Sequence, residues 1–179
     1  EYVREMFTMF KNPLVGILSG FAITALIQSS SASVGILQAI ASTGTVTFSM
    51  AFPIILGQNI GKCITVILGC IGTNKKAKRV AIIHTLFNVI GVIFFMLVVY
   101  VYQATIGISF WNNVMNRGNI ADIHSLFNIL TTCILYPFIS TLIKFSGFII
   151  KDKQNNKINQ ELDILDDIFI KTHTVALEQ

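Results

Sequence analysis

The chain has 179 residues, 53% of them hydrophobic and 12% charged, with a mean hydropathy of +0.69. Soluble domains carry about a quarter charged residues, so this composition excludes an ordinary soluble protein and points to an integral membrane protein built mainly of helices. The net charge of +4 is concentrated in the first dozen residues, in Lys75–Arg79 and after Lys144, which reads as juxtamembrane anchoring and not as a nucleic-acid face.

Residues 1–12 (EYVREMFTMFKN) mix charge with aromatics and read as an interfacial helix end leading to Pro13, a residue suited to a first helical turn. The chain starts at Glu1, without Met or a signal-peptide pattern, and is expected to be a piece of a longer protein. Residues 15–41 are long enough to span a bilayer but are interrupted by Gln28-Ser29-Ser30-Ser31-Ala32-Ser33. Four hydroxyls and an amide at membrane depth find no water, so they must face protein, a cavity or a ligand. Two readings compete: one kinked helix, or a re-entrant hairpin turning at Gln28–Ser31. The hairpin is favoured, because serine hydroxyls compete for backbone bonds and each half is too short to span.

Residues 41–45 form a turn. Residues 46–71 again have span length, with Pro53 and then Gly57-Gln58-Asn59-Ile60-Gly61 predicting a break near the middle. Unwound helices of this kind expose backbone groups that coordinate ions in secondary transporters. Lys62 is the one charge within a span, a functional candidate by default, against the alternative of snorkelling or pairing with a group elsewhere in the protein.

The short basic loop of residues 72–79 belongs in the cytoplasm by the positive-inside rule. Residues 80–102 form a full span ending in Tyr100 and Tyr102 at the interface, and residues 103–119 form the outer loop. Residues 120–143 return, with Pro137 near the inner end, and Lys144, Lys151, Lys153 and Lys157 hold the tail in the cytoplasm. Residues 1–150 thus make one transmembrane unit, 151–160 a polar linker, and 161–179 an amphipathic start of a cytosolic domain. The expected fold class is an all-α membrane protein: a helical bundle with a re-entrant hairpin, a broken transmembrane helix and two full spans.

Several chemistries compete for the polar residues. His84-Thr85-Leu86-Phe87-Asn88 recurs as His124-Ser125-Leu126-Phe127-Asn128, forty residues on, in helices expected to run oppositely. Each His and Asn share a helix face and read as helix-packing groups more readily than as metal ligands, since no carboxylate or thiol pattern accompanies them. Cys63, Cys70 and Cys133 read as small buried apolar residues. No serine elbow with a neighbouring base is present, so no catalytic residue is expected and the chain is not read as an enzyme. A turn at a half-helix N-terminus presents N–H donors, and Gln28, Ser29, Ser30 and Ser31 add neutral donors, which suits a tetrahedral oxyanion. The oxygens of Ser33, Gln58, Asn59 and Thr65 suit a small hard cation such as Na+. Against this stands the plain reading that these small residues pack helices and satisfy one another.

Four blocks in order carry a resemblance: TALIQSSSAS at 24–33, GQNIGKCIT at 57–65, AKRVAIIHTLFN at 77–88 and IADIHSLFN at 120–128. Together they resemble the type II sodium/phosphate cotransporters and their bacterial relatives with a C-terminal PhoU-like domain. That family carries two inverted repeats, each with a QSSS block, meeting near mid-membrane to bind phosphate with Na+. The resemblance implies that this chain is the second repeat, that the first repeat is its partner, and that residues 161–179 begin the PhoU-like domain. It implies phosphate contacts from Gln28, Ser29, Ser30, Ser31 and Asn59, and Na+ contacts from Ser33, Gln58 and Thr65. Na+ is then the coupling ion, with no cofactor. The family usually has Gly-Thr where this chain has Gly61-Lys62, so Lys62 is expected to compensate charge, as a stand-in cation or a phosphate contact. The implied function is sodium-coupled inorganic phosphate symport across the cell membrane, in a multi-pass protein of a bacterial inner membrane with its C-terminal tail in the cytoplasm. The alternatives are a phosphate-sensing membrane module and an uncoupled anion channel.

Overall fold

The computed structural model describes residues 12–151. The expectations for residues 1–11 and for the linker and tail at 152–179 lie outside the described residues. Six α-helices follow one another: α1 (Pro13–Ile27), α2 (Ser30–Ala41), α3 (Phe48–Gly69), α4 (Lys75–Thr105), α5 (Arg117–Leu135) and α6 (Ile139–Ile149). The last two are joined by a 3-10 turn at Tyr136–Phe138, where Pro137 cannot supply the α-helical N–H bond.

Local chemistry sets the starts. The Asn12 side chain accepts from the Leu14 N–H and Pro13 occupies the first turn of α1. Asn74 caps α4 through the Ala77 N–H, and Asn116 caps α5 in a reciprocal box with Asn119.

Three helical stretches are long and apolar enough to cross a membrane: Phe48–Gly69, Lys75–Thr105 and Arg117–Ile149. The last two expose rows of large apolar side chains, among them Ile93, Leu97, Val101, Ile129 and Phe145. Among the described residues every regular element is helical, and the molecule is a helical membrane protein, as its composition demands. Of the three cysteines, Cys63 is buried, whereas Cys133 is exposed on α5, contrary to expectation. A small polarizable side chain suits a lipid-facing helix surface as well as a core.

α1 and α2 fold back on each other at Gln28–Ser29. The Thr24 hydroxyl donates to Ser33 Oγ across the turn at 2.8 Å, and Ala41, at the far end of α2, returns to the start of α3 through the core that includes Val46 and Phe48. α1 lies along α3 in a parallel sense, Gly16 against Pro53 and Gly61 against Phe21 and Thr24. α4 and the α5–α6 path run antiparallel: Phe95 meets Phe127, Gly91 meets Thr131, and Arg79 donates twice to Ile150 O at 3.0 and 2.8 Å.

The break expected at Gly57–Gly61 is not found; α3 runs unbroken from Phe48 to Gly69. The two glycines lie one turn apart on the face that meets α1. A Cβ at Gly57 would strike the carbonyl of Ile17, one at Gly20 the carbonyl of Ile54, and one at Gly61 would lie 2.7 Å from Phe21 O. Gly16-x-x-x-Gly20 and Gly57-x-x-x-Gly61 thus let two backbones touch, the use that membrane helices make of small residues. The amides between them need no unwinding either. Gln58 Nε2 donates to Ser33 O at 3.0 Å and Asn59 Nδ2 to Ile55 O at 2.9 Å.

Candidate functional site

The QSSS turn has a specific backbone. Gln28 caps the end of α1 in the left-handed region, at φ 57° and ψ 22°, and is the one non-glycine residue with positive φ among the described residues. Its N–H still reaches Thr24 O at 2.8 Å. Ser29 is extended and caps α2, its Oγ accepting from the Ala32 N–H at 3.3 Å and lying 3.2 Å from Ser31 Oγ. The first backbone bond back to the cap is from the Ser33 N–H to Ser29 O, so the N–H groups of Ser30 and Ser31 head α2 without an intrahelical partner. Gln28 and Ser31 are exposed, and Ser29 and Ser30 half-exposed. Donors without built-in acceptors, at a helix N-terminus, form a surface ready for an anion.

Behind this open turn lie two closed polar knots. The first joins Thr24, Ser33 and Gln58, all nearly inaccessible, and leaves Gln58 Oε1 buried without a partner. Thr24 was not singled out in the sequence; a lone Thr in an apolar run carries no signal until the fold brings Ser33 to it. Thr65 stands at the edge of the turn, its hydroxyl 3.5 Å from Gln28 O.

The second knot lies between α3, α4 and α5. Lys62 Nζ donates to Asn59 Oδ1 and to Asn128 Oδ1, both at 2.8 Å. Asn128 Nδ2 donates to His124 O at 2.7 Å. On α4, Asn88 Nδ2 donates to His84 O at 2.8 Å and sits 3.3 Å from His84 Nε2. His84 Nδ1, His124 Nε2 and Thr131 Oγ1 are buried without partners. Each Asn of the repeated His-x-x-x-Asn pieces thus bonds back to its own His within one helix, and the bond between helices is made by Asn128 to Lys62, not by either imidazole. Among the described residues no group of three metal-ligating His, Cys, Asp or Glu side chains occurs.

The expected site residues therefore separate. Gln28, Ser29, Ser30 and Ser31 share the open turn, with Thr65 at its edge. Ser33 and Gln58 lie in the first knot, and Asn59 and Lys62 in the second, with both polar ends of Asn59 engaged.

The described residues thus form a helical membrane protein with a polar, donor-rich turn between two short helices, packed on a long span. More particularly, the chain belongs to the Na+/Pi-cotransporter family, whose model matches residues 2–117. The protein YqeW of Bacillus subtilis (strain 168), described as uncharacterized, is 31% identical over 137 residues, covering 76% of this chain and 44% of its own length. The human sodium-dependent phosphate transport protein 2B is 37% identical over 92 residues, covering 48% of this chain and 13% of its own. A protein of Escherichia coli (strain K12) whose name proposes inorganic phosphate export, YjbB, is 24% identical over 164 residues, covering 92% of this chain and 30% of its own. The chain thus spans less than half the length of each of these relatives. No solved structure matches it.

Proposed function

We propose that this chain supplies one half of the transport site of a sodium-coupled inorganic phosphate symporter. The observation that carries the reading is the QSSS turn, where a left-handed Gln28 leads into a helix head whose Ser30 and Ser31 N–H groups have no intrahelical acceptor, beside exposed Gln28 and Ser31 side chains. A phosphate presents many acceptor oxygens and suits Gln28, Ser29, Ser30 and Ser31 together. Membership of the family supports phosphate as the substrate, and the human relative's name supports sodium as its partner.

In this reading α1 and α2 re-enter the membrane without crossing it, and a first repeat supplies a second turn opposite this one. Na+ binds at oxygens behind the turn, with Ser33, Gln58 and Thr65 as ligands; the unpartnered Gln58 Oε1 supports that assignment. Asn59 is fully buried and would reach phosphate only through its Nδ2, which here donates to Ile55 O, so its contact belongs to another state of the transport cycle. Lys62 supplies a positive charge that offsets the anion, since burying bare phosphate is prohibitive. The basic end at Lys75–Arg79 faces the cytoplasm of a bacterial cell, and transport proceeds by alternating access.

The test is radiolabelled phosphate uptake by the full-length parent in proteoliposomes, with and without a Na+ gradient. Gln28→Ala and Ser30→Ala are expected to abolish uptake while the protein stays in the membrane; normal uptake by both removes the site assignment. Flux that follows voltage and ignores Na+ would make the protein an uncoupled anion channel. Phosphate binding without flux would make it a sensing module. The E. coli relative's name favours a second reading of direction, outward release, which loading the vesicles with phosphate would reveal.

A further inference from the structure

We propose that Asn59 and Asn128 form a monovalent-cation cradle between α3 and α5, and that its resident is the chain's own Lys62 ammonium. Two amide oxygens on two helices converge on one nitrogen, each at 2.8 Å. Neither amide is free to turn. Asn59 Nδ2 is held by Ile55 O at 2.9 Å and Asn128 Nδ2 by His124 O at 2.7 Å, each one turn back in its own helix. With both NH2 groups tied, the oxygens are what the pair presents, whatever occupies the space between them. The same tie recurs in Asn88, whose Nδ2 donates to His84 O.

The cradle is neutral. The one carboxylate among the described residues, Asp122, is exposed on α5 and lines a separate cavity with Phe48 and Phe127. Asn59 is fully buried and Lys62 half-buried. A cation at this depth held only by neutral oxygens is the arrangement that suits a singly charged ion, because no ligand charge is present to favour a divalent one. The lysine therefore acts as a tethered counterpart of an inorganic cation, always present and unable to leave with the solute. The cradle rests on this geometry alone. Its consequence, one Na+ fewer carried per phosphate, rests on the transport reading given above.

Shortening Lys62 should empty the cradle and open it to an alkali cation. The measurement is thermal unfolding of the purified full-length parent in phosphate-free buffer, titrated with NaCl or KCl against choline chloride. Lys62→Thr is expected to unfold at lower temperature than the parent in choline, and to regain stability saturably as Na+ or K+ is added. Adding Asn128→Leu is expected to remove that regain. Lys62→Ala leaves room for a small amine, and methylammonium is expected to restore it where choline does not. A Lys62→Thr response to alkali cations equal to the parent's overturns the proposal, as does a regain that survives Asn128→Leu. Failure of both Lys62 variants to fold in saturating Na+ or methylammonium overturns it too, because the proposal requires a free cation to replace the tethered one. Phosphate is absent throughout, so failure of the transport reading leaves these outcomes unchanged.

Discussion

Gln28 combines a constrained backbone with an exposed side chain. Its left-handed backbone ends α1 and aims α2, a conformation that costs a non-glycine residue about 1 kcal/mol or more. Its side chain is exposed at the turn, where it gains no burial to offset that cost. Gln28→Gly should therefore stabilise the protein by about 1 kcal/mol relative to Gln28→Ala, read as a higher unfolding temperature, while both lose phosphate uptake. Equal stability of the two variants would mean that the strain is absent. Equal uptake by Gln28→Gly and the parent would mean that the amide is not a ligand.

The α1–α3 contact is where element and residue meet. Gly20 and Gly57 face backbone carbonyls on the opposite helix, and a backbone atom cannot swing aside as a side chain can. Gly57→Ala should cost about 1–3 kcal/mol or more and lower the yield of monodisperse protein in detergent. Gly35, on the exposed side of α2, has nothing within 4 Å of where its Cβ would be. Gly35→Ala should be neutral or stabilise by up to about 1 kcal/mol, the helix propensity difference, by the same assay. The glycines also show what the sequence made legible. The spans, the first-turn place of Pro13 and the interruption at QSSS follow from composition and punctuation alone, and so the helical membrane class was readable. The meaning of Gly57-Gln58-Asn59-Ile60-Gly61 was not. Two glycines around two amides mark an unwound segment or a close helix contact equally well, and the choice depends on whether a partner helix offers glycines of its own. Gly16 and Gly20 do, but only the fold aligns them. In the same way Lys62 was visible as an intramembrane charge, whereas its partner Asn128 lies 66 residues away on another helix.

At the scale of the molecule, the described helices enclose the two polar knots but leave the QSSS turn open on one side. A site that must strip water from phosphate needs that side closed, and nothing in residues 12–151 closes it. Residues 12–151 expressed alone are therefore expected to insert in membranes yet show no phosphate uptake above empty vesicles, in contrast to the full-length parent. Uptake by the isolated chain at the parent's rate would mean that copies of this chain close the turn on each other, or that one copy suffices.

The point where the chain leaves the bundle has a mechanical consequence. Arg79 grips the Ile150 carbonyl with two N–H groups, and Lys75 holds the Lys151 carbonyl at 3.0 Å. Both clasps come from the first turns of α4, so the exit of the chain is riveted to the start of the longest helix. A tilt of that helix would therefore be delivered as a displacement of the backbone at residues 150 and 151. The same rivet works in reverse: a pull on the backbone at residues 150 and 151 is a torque on α4, and through Gly91 and Thr131 on the helix that holds Asn128.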